Sequence, residues 1–246
     1  MNMMSLTKTT QSALLFGATF LASHAALADI VISGTRVIYP ESAKDVTVNM
    51  ENRGGKPLLV QTWLDDGRDT TNPQELKLPF IITPPVSRVD AGKGQTVRIT
   101  WLGQPLAQDR ETMYWFNVLE VPPKAKNAET QNMLQLAFRT RIKMFFRPNG
   151  LKGSPSVAAA QLTWSQQQQN SKPVLVARND SPYYISLAKV TAQSGSTSEE
   201  VEPHVVAAFS SQAMTFTRTG STKVTQITYA SINDFGGVEQ HQTVIK

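Results

Sequence analysis

Residues 133–148, MLQLAFRTRIKMFFRP, constrain the fold more than any other stretch of this 246-residue chain. Leu134, Leu136, Phe138, Thr140, Ile142, Met144 and Phe146 occupy alternate positions, which a pleated strand places on one face. Gln135, Ala137, Arg139, Arg141 and Lys143 fall on the other. At about 3.3 Å per residue the run extends roughly 50 Å, against a usual strand of about 5 or 6 residues. That is too long for one domain's core and reads as a strand built to be shared.

The same period of two runs through the chain from Asp29 onward. Residues 30–39, 46–51, 57–64, 96–101, 113–121 and 133–146 read as strands rich in Val, Ile, Thr and aromatics. Turn chemistry separates them at Asn52-Arg53-Gly54-Gly55, Asp65-Asp66-Gly67 and Asp90-Ala91-Gly92-Lys93-Gly94. Turn formers cluster at 147–155, directly after the long strand, and place a domain boundary there. A second strand series follows at 156–164, 173–178, 183–191, 204–209, 213–217, 223–232 and 238–245, a number that suits an immunoglobulin-like sandwich. The polar run Gln166 to Gln169 reads as a solvated loop. The expected architecture is all-β, with a first sandwich over residues 29–148 and a second over 149–246.

Residues 1–28 read as a signal peptide. Lys8 is the only charge before an apolar stretch, 13–21, that is too short to span a bilayer, and Ala26-Leu27-Ala28 supplies the small residues of a cleavage site. No later segment is apolar enough for a membrane span, so a soluble exported protein beginning at Asp29 is expected. The chain has no cysteine, which excludes disulfides and thiolate metal sites and leaves burial to hold it together. Lys and Arg number 24 against 19 Asp and Glu, yet no basic block interleaved with aromatics appears, so nucleic acid is not an expected partner. His204 and His241 stand alone in expected strands, without a nearby carboxylate or cysteine at metal-ligand spacing, Gly92-Lys93-Gly94 lacks the rest of a phosphate loop, and no Gly-x-Ser-x-Gly elbow occurs. No catalytic residue, metal site or cofactor is expected.

Residues 106–123, LAQDRETMYWFNVLEVPP, form a turn followed by an alternating aromatic strand that stops at two prolines. A plain core strand accounts for the alternation. The string as a whole also resembles, position by position, the signature of the periplasmic chaperones that assemble pili by the chaperone-usher pathway: Asp109-Arg110-Glu111, Trp115, Asn117, Val121 and Pro122-Pro123 stand where that family has them. The similarity extends to Asp29-Ile30-Val31-Ile32, to Thr35-Arg36-Val37-Ile38-Tyr39-Pro40, to Ile82-Thr83-Pro84-Pro85, through Arg147-Pro148 and to Ile232-Asn233-Asp234-Phe235-Gly236-Gly237, so it covers both domains. The short stretch 124–132 resembles the short-loop branch of the family.

The resemblance implies two immunoglobulin-like β-sandwich domains set at an angle with a cleft between them, working in the periplasm on pilus subunits and an outer-membrane usher. It implies that Arg36 and Lys143 clamp the C-terminal carboxylate of a subunit, where hydrogen bonds to a charged group contribute about 1.5–3 kcal/mol each. Leu134, Leu136 and Phe138 match side chains that fill the groove of a subunit sandwich lacking its last strand, a case of strand addition. Three such burials contribute about 5–9 kcal/mol before ordering costs. Glu120, Arg147 and Asp234 match a charge network that holds the two domains, and Pro85 matches a position that is cis in relatives, a point the sequence leaves open.

Two readings from other classes stand beside this one. A fimbrial structural subunit or adhesin predicts an incomplete domain, a detachable N-terminal segment and commonly a cysteine pair, and an exported hydrolase needs a catalytic constellation. Lys143 also lies on the opposite parity from Leu134, which calls for a twist, a bulge or a place inside the cleft.

Overall fold

The structure, a computed structural model, describes residues 28–68, 75–123, 136–218 and 223–245. Residues 1–27 of the signal peptide expected over 1–28, Leu134 and the expected short loop 124–132 lie outside the described residues.

Two hydrophobic cores form, one on each side of the turn cluster at 147–155. The first lies between a four-stranded and a five-stranded sheet. The smaller sheet runs in the order β1 (Ile30–Ile32), β3 (Val46–Asn52), β7 (Gly94–Trp101), β5 (Phe80–Thr83). The larger runs β2 (Arg36–Pro40), β9 (Phe138–Arg147), β8 (Thr112–Val121), β4 (Leu58–Asp65), β6 (Val86–Val89). Alternate side chains of β4, β7 and β8, among them Val60, Val97, Ile99, Phe116 and Val118, are fully buried between them, as the period of two requires. Tyr39, Phe80, Tyr114 and Phe146 meet edge-on or tilted at one end, with ring centroids 5.0–6.1 Å apart. The Tyr39 hydroxyl donates to the Lys44 carbonyl and accepts from the Trp101 amide, so this buried phenol is satisfied.

The second core lies between a three-stranded sheet, β10 (Thr163–Gln169), β11 (Lys172–Asn179), β15 (Ser210–Thr215), and a five-stranded sheet. The latter comprises β13 (Thr197–Val201), β12 (Ile185–Ser194), β16 (Gln226–Ile232) and β17 (Val238–Val244), with the short β14 (Val205–Val206) also paired to β12. Leu175, Val206, Met214 and Ile227 are fully buried there. A single turn and a half of helix, α1 (Pro155–Ala160), covers one end.

Several expected elements change. The strand expected over 30–39 is two strands: the chain leaves β1 at Ser33 and Gly34, with the Gly34 amide bonded to the Ile32 carbonyl, and β2 crosses to the other sheet to lie parallel to β9. The strand expected over 156–164 begins instead with α1, because Ser154 caps it through its side chain and Pro155 fits the first helical position. The glutamine run expected as a loop is edge strand β10, which turns into β11 through Asn170 and Ser171, both in the left-handed region. Among the described residues the cis bond is Thr83–Pro84, not the bond to Pro85.

Candidate functional site

Strands β2 and β9 bring Arg36 and Lys143 directly opposite each other in a parallel pair. Both side chains are half-buried, and among the described residues neither forms an ion pair. The Lys143 Nζ lies 5.0 Å from the Trp115 ring centroid, and the Arg36 guanidinium lies 5.9 Å from the Phe145 ring. One Arg36 Nη donates across the domain gap to the Ile232 carbonyl at 2.8 Å, while its Nε is buried without a partner. Burial pushes the Lys143 ammonium below the usual lysine pKa, and the neighbouring Arg36 charge pushes it further. Burial likewise lowers Arg36, against the pull of Asp234 and Glu111. Two adjacent half-buried cations with no ion pair repel each other, and a carboxylate placed between them would relieve both their repulsion and their desolvation.

Register resolves the parity of Lys143 without any bulge. Pairing of β8 with β9 is unbroken from Thr112 opposite Phe146 to Glu120 opposite Phe138. Ile142, Met144 and Phe146 therefore point to the first core, and Lys143, Phe145 and Arg147 to the opposite face, where Phe145 and Arg147 line the cleft to the second domain. Of the two adjacent phenylalanines, only Phe146 joins the first core; Phe145 is buried against Tyr184 of the second domain, 5.9 Å between centroids.

Beyond Lys143 the strand runs free on one edge. Strand β2 covers Lys143 to Arg147 only, so from Phe138 to Ile142 the edge away from β8 meets no strand among the described residues. Leu136 is 55 % exposed and Phe138 39 %, although both are large and apolar. They share the parity of the core side chains, which puts Phe138 on the face opposite Lys143. The apolar row, the free edge and Lys143 thus follow one another along the run into β9, with Arg36 beside Lys143 on β2.

The other face of that strand is tied down. Asp65 of β4, almost fully buried, accepts from the Gly67 amide, from Asn117 Nδ2 at 2.8 Å and from both Arg139 and Arg141. Arg139 also donates to Asn117 Oδ1 at 2.9 Å. The Arg141 guanidinium lies 4.3 Å from the Trp115 ring centroid and that of Arg139 5.2 Å from Trp63. Local sequence does not single out Asp65 and Asn117 as partners of the strand cations, since nothing but the pleat links residues 22 to 76 positions apart.

The charge network differs from its expected membership. Arg147 forms bonds of 2.7 and 2.9 Å to Asp234 and one of 2.7 Å to Glu111, which is 2 % exposed. Burial alone lowers the Arg147 pKa, but Asp234 and Glu111 outweigh it and raise it, so Arg147 stays charged. Glu111 also accepts from the Tyr184 amide and donates its own amide to the Pro182 carbonyl. Glu120 takes no part. It sits at the far end of β8, about 25 Å of strand from Thr112, where its carboxylate accepts from the Asp29 and Ile30 amides and holds the start of β1. The sequence signal for Glu111 was available in Asp109-Arg110-Glu111, next to the strand end that pairs with Phe146.

His241 stacks on Tyr229 and shares a 2.8 Å hydrogen bond with Ser231. Among the described residues no group of three or more His, Cys, Asp or Glu could hold a metal ion, and no helix is long and apolar enough to cross a membrane.

Comparison with known proteins agrees with this arrangement over both domains. Residues 29–152 match the family described as pili and flagellar-assembly chaperone, PapD N-terminal domain, and residues 157–243 match the pili assembly chaperone PapD, C-terminal domain. The chain is 45 % identical over 230 residues to the probable fimbrial chaperone YadV of Escherichia coli strain K12, covering 92 % of this chain and 94 % of that one. It is 44 % identical over 235 residues to the chaperone protein FimB/FhaD of Bordetella pertussis, covering 93 % and 94 %. The crystal structure of the YadV chaperone superposes with a TM-score of 0.76 at 41 % identity, covering 89 % of this chain and all of that one. A structure of the Salmonella enterica SafA pilin in complex with the SafB chaperone gives 0.74 at 29 % identity, covering 90 % and 98 %. Two sandwiches, a strand left half-paired on one edge and two adjacent cations without ion pairs at its root therefore belong to a member of the PapD family of pili-assembly chaperones.

Proposed function

We propose that this chain is a periplasmic chaperone that captures pilus subunits by completing their fold with strand β9 and delivers them to an outer-membrane usher. The observation that carries the reading is the continuity of β9: the edge of Phe138 to Ile142 has no strand beside it among the described residues, and it runs directly into the Arg36–Lys143 pair. A subunit strand laid along that edge gains backbone hydrogen bonds. Its groove receives Leu136 and Phe138, and Leu134 continues the same parity. The subunit's terminal carboxylate then reaches the two cations, which hold it by charge-assisted hydrogen bonds and set the register of the added strand.

In this reading Glu111, Arg147 and Asp234 hold the cleft, with no part for Glu120. Residues 1–28 direct export and the mature chain begins at Asp29, with the domains meeting near Pro148. Capture needs no catalysis, cofactor or metal. The SafA pilin and SafB chaperone complex supports the choice of partner class, since its chaperone shares this fold. The alternative, a fimbrial subunit, is not favoured, because the relatives over the full length are chaperones.

The test is to coexpress the chain with pilus subunits in the periplasm and measure complex formation with native subunits and with subunits whose C-terminus is extended by a few residues. Extension moves the carboxylate out of register and is expected to abolish the complex. Equal recovery of both contradicts the anchor.

A further inference from the structure

The anion anchor is not made by the first domain alone. Three contacts bring the β16–β17 hairpin of the second domain against it. The Ile232 carbonyl, at the end of β16, accepts from Arg36 Nη at 2.8 Å. Two residues on, Asp234 grips Arg147 with bonds of 2.7 and 2.9 Å. Gly236, with φ +83°, packs so closely on Thr35 that a Cβ built there would fall 2.6 Å from the Thr35 Oγ1.

The hairpin itself is stiff. Asn233 Oδ1 accepts from the Phe235 and Gly237 amides, its Nδ2 donates to Glu239, and its backbone exchanges hydrogen bonds with Gly236 and Gly237. A guanidinium on an unbranched stem is free to rotate, and fixing it costs entropy at the moment of binding unless something has fixed it already. Here the Ile232 carbonyl fixes it, with Phe145 flanking the same group.

We infer that the Ile232–Gly237 hairpin of the second domain is a positioning element for carboxylate capture, which holds the Arg36 guanidinium in its binding orientation before a subunit arrives. Ile232, through its carbonyl, and Gly236, through its lack of a Cβ, are the positioning residues. The inference rests on the reading of Arg36 and Lys143 as the carboxylate anchor. It adds that the strength of the anchor is set by the seating of a hairpin that belongs to the second domain.

The test uses the full mature chain and two synthetic peptides of one sequence, apolar at alternate positions, one ending in a free carboxylate and one in an amide. For the wild-type chain the free acid is expected to bind at least about tenfold more tightly than the amide, as loss of a hydrogen bond to a charged group implies. Gly236→Ala pushes the hairpin off Thr35 and is expected to reduce that ratio to about two- to threefold while leaving binding of the amide unchanged. Because a positive φ also disfavours alanine, Thr35→Ala with Gly236→Ala serves as the second variant, and it is expected to restore part of the ratio by removing the atom in collision. Thermal unfolding of each variant separates misfolding from misplacement, since a merely structural role lowers stability and weakens both peptides together.

A wild-type ratio near one, or no binding of either peptide, overturns the anchor itself. A large wild-type ratio that persists in a folded Gly236→Ala chain overturns the hairpin's role and leaves the anchor standing.

Discussion

Arg36 and Lys143 carry opposite consequences for the free and the loaded chain, and pH exposes them. The Lys143 pKa is lowered on folding, chiefly by burial and then by Arg36. Between its folded value and the ordinary lysine value near about 10.4 the unfolded chain therefore holds more protons, so the stability of the free chain rises with pH across that window. A bound carboxylate favours the ammonium, so affinity for a subunit falls across the same window. Urea unfolding of the free chain and subunit binding, both followed upward from neutral pH, should show these opposed trends, and Lys143→Met should flatten both. Arg36→Ala or Lys143→Ala should abolish capture with little change in unfolding midpoint, because neither side chain forms an ion pair that folding depends on. A matched loss of both properties contradicts the anchor. The two cations were legible in the sequence only through their surroundings, Thr35-Arg36-Val37 and Arg141-Ile142-Lys143; either alone is an ordinary strand residue. Their juxtaposition needs the parallel pairing of β2 with β9, which no local pattern announces.

Strand β9 does different work on its two faces. Its core-parity face presents Leu136 and Phe138 to solvent, so Leu136→Glu should remove subunit binding while the chain stays folded, as judged by recovery of complex and by circular dichroism. Its other face is fastened by Asp65 and Asn117 to β4 and β8. Asp65→Ala leaves two guanidinium groups without their shared carboxylate and should lower stability by about 1–3 kcal/mol, measured by urea unfolding. Alternation made most strands legible, since a period of two in Val, Ile and aromatics is what a pleated strand with one buried face requires and a helix cannot use. It failed where the signal is polar or short. Gln166 to Gln169 pair with β11 as an edge strand but carry no apolar period, and β5 and β6 are four-residue strands on either side of Pro84 and Pro85. For α1 the signal was present in Ser154-Pro155, a capping residue followed by a proline, and an alternation reading overlooked it.

The whole molecule is held as one unit by a few contacts across the cleft. Arg147 reaches both domains at once, bonded to Glu111 of the first and Asp234 of the second. Arg147→Ala strands the buried Glu111 carboxylate and should cost about 3–5 kcal/mol, with a broader distribution of domain separations in solution scattering. Glu120→Ala, by contrast, should loosen the first strand near Asp29 and leave the scattering unchanged. The two-sandwich plan was legible from strand counts and the turn cluster after Arg147. Sequence alone does not choose between Glu111, just before β8, and Glu120, near its far end, because only three-dimensional register tells which end faces the second domain. The central claim is that β9 is a strand left half-paired for a subunit to complete. Hydrogen exchange at the backbone amides of Phe138 to Ile142 that are not bonded to β8 tests it most directly. The account predicts fast exchange in the free chain and strong protection in the complex with a pilus subunit; a tight complex in which those amides still exchange fast contradicts it.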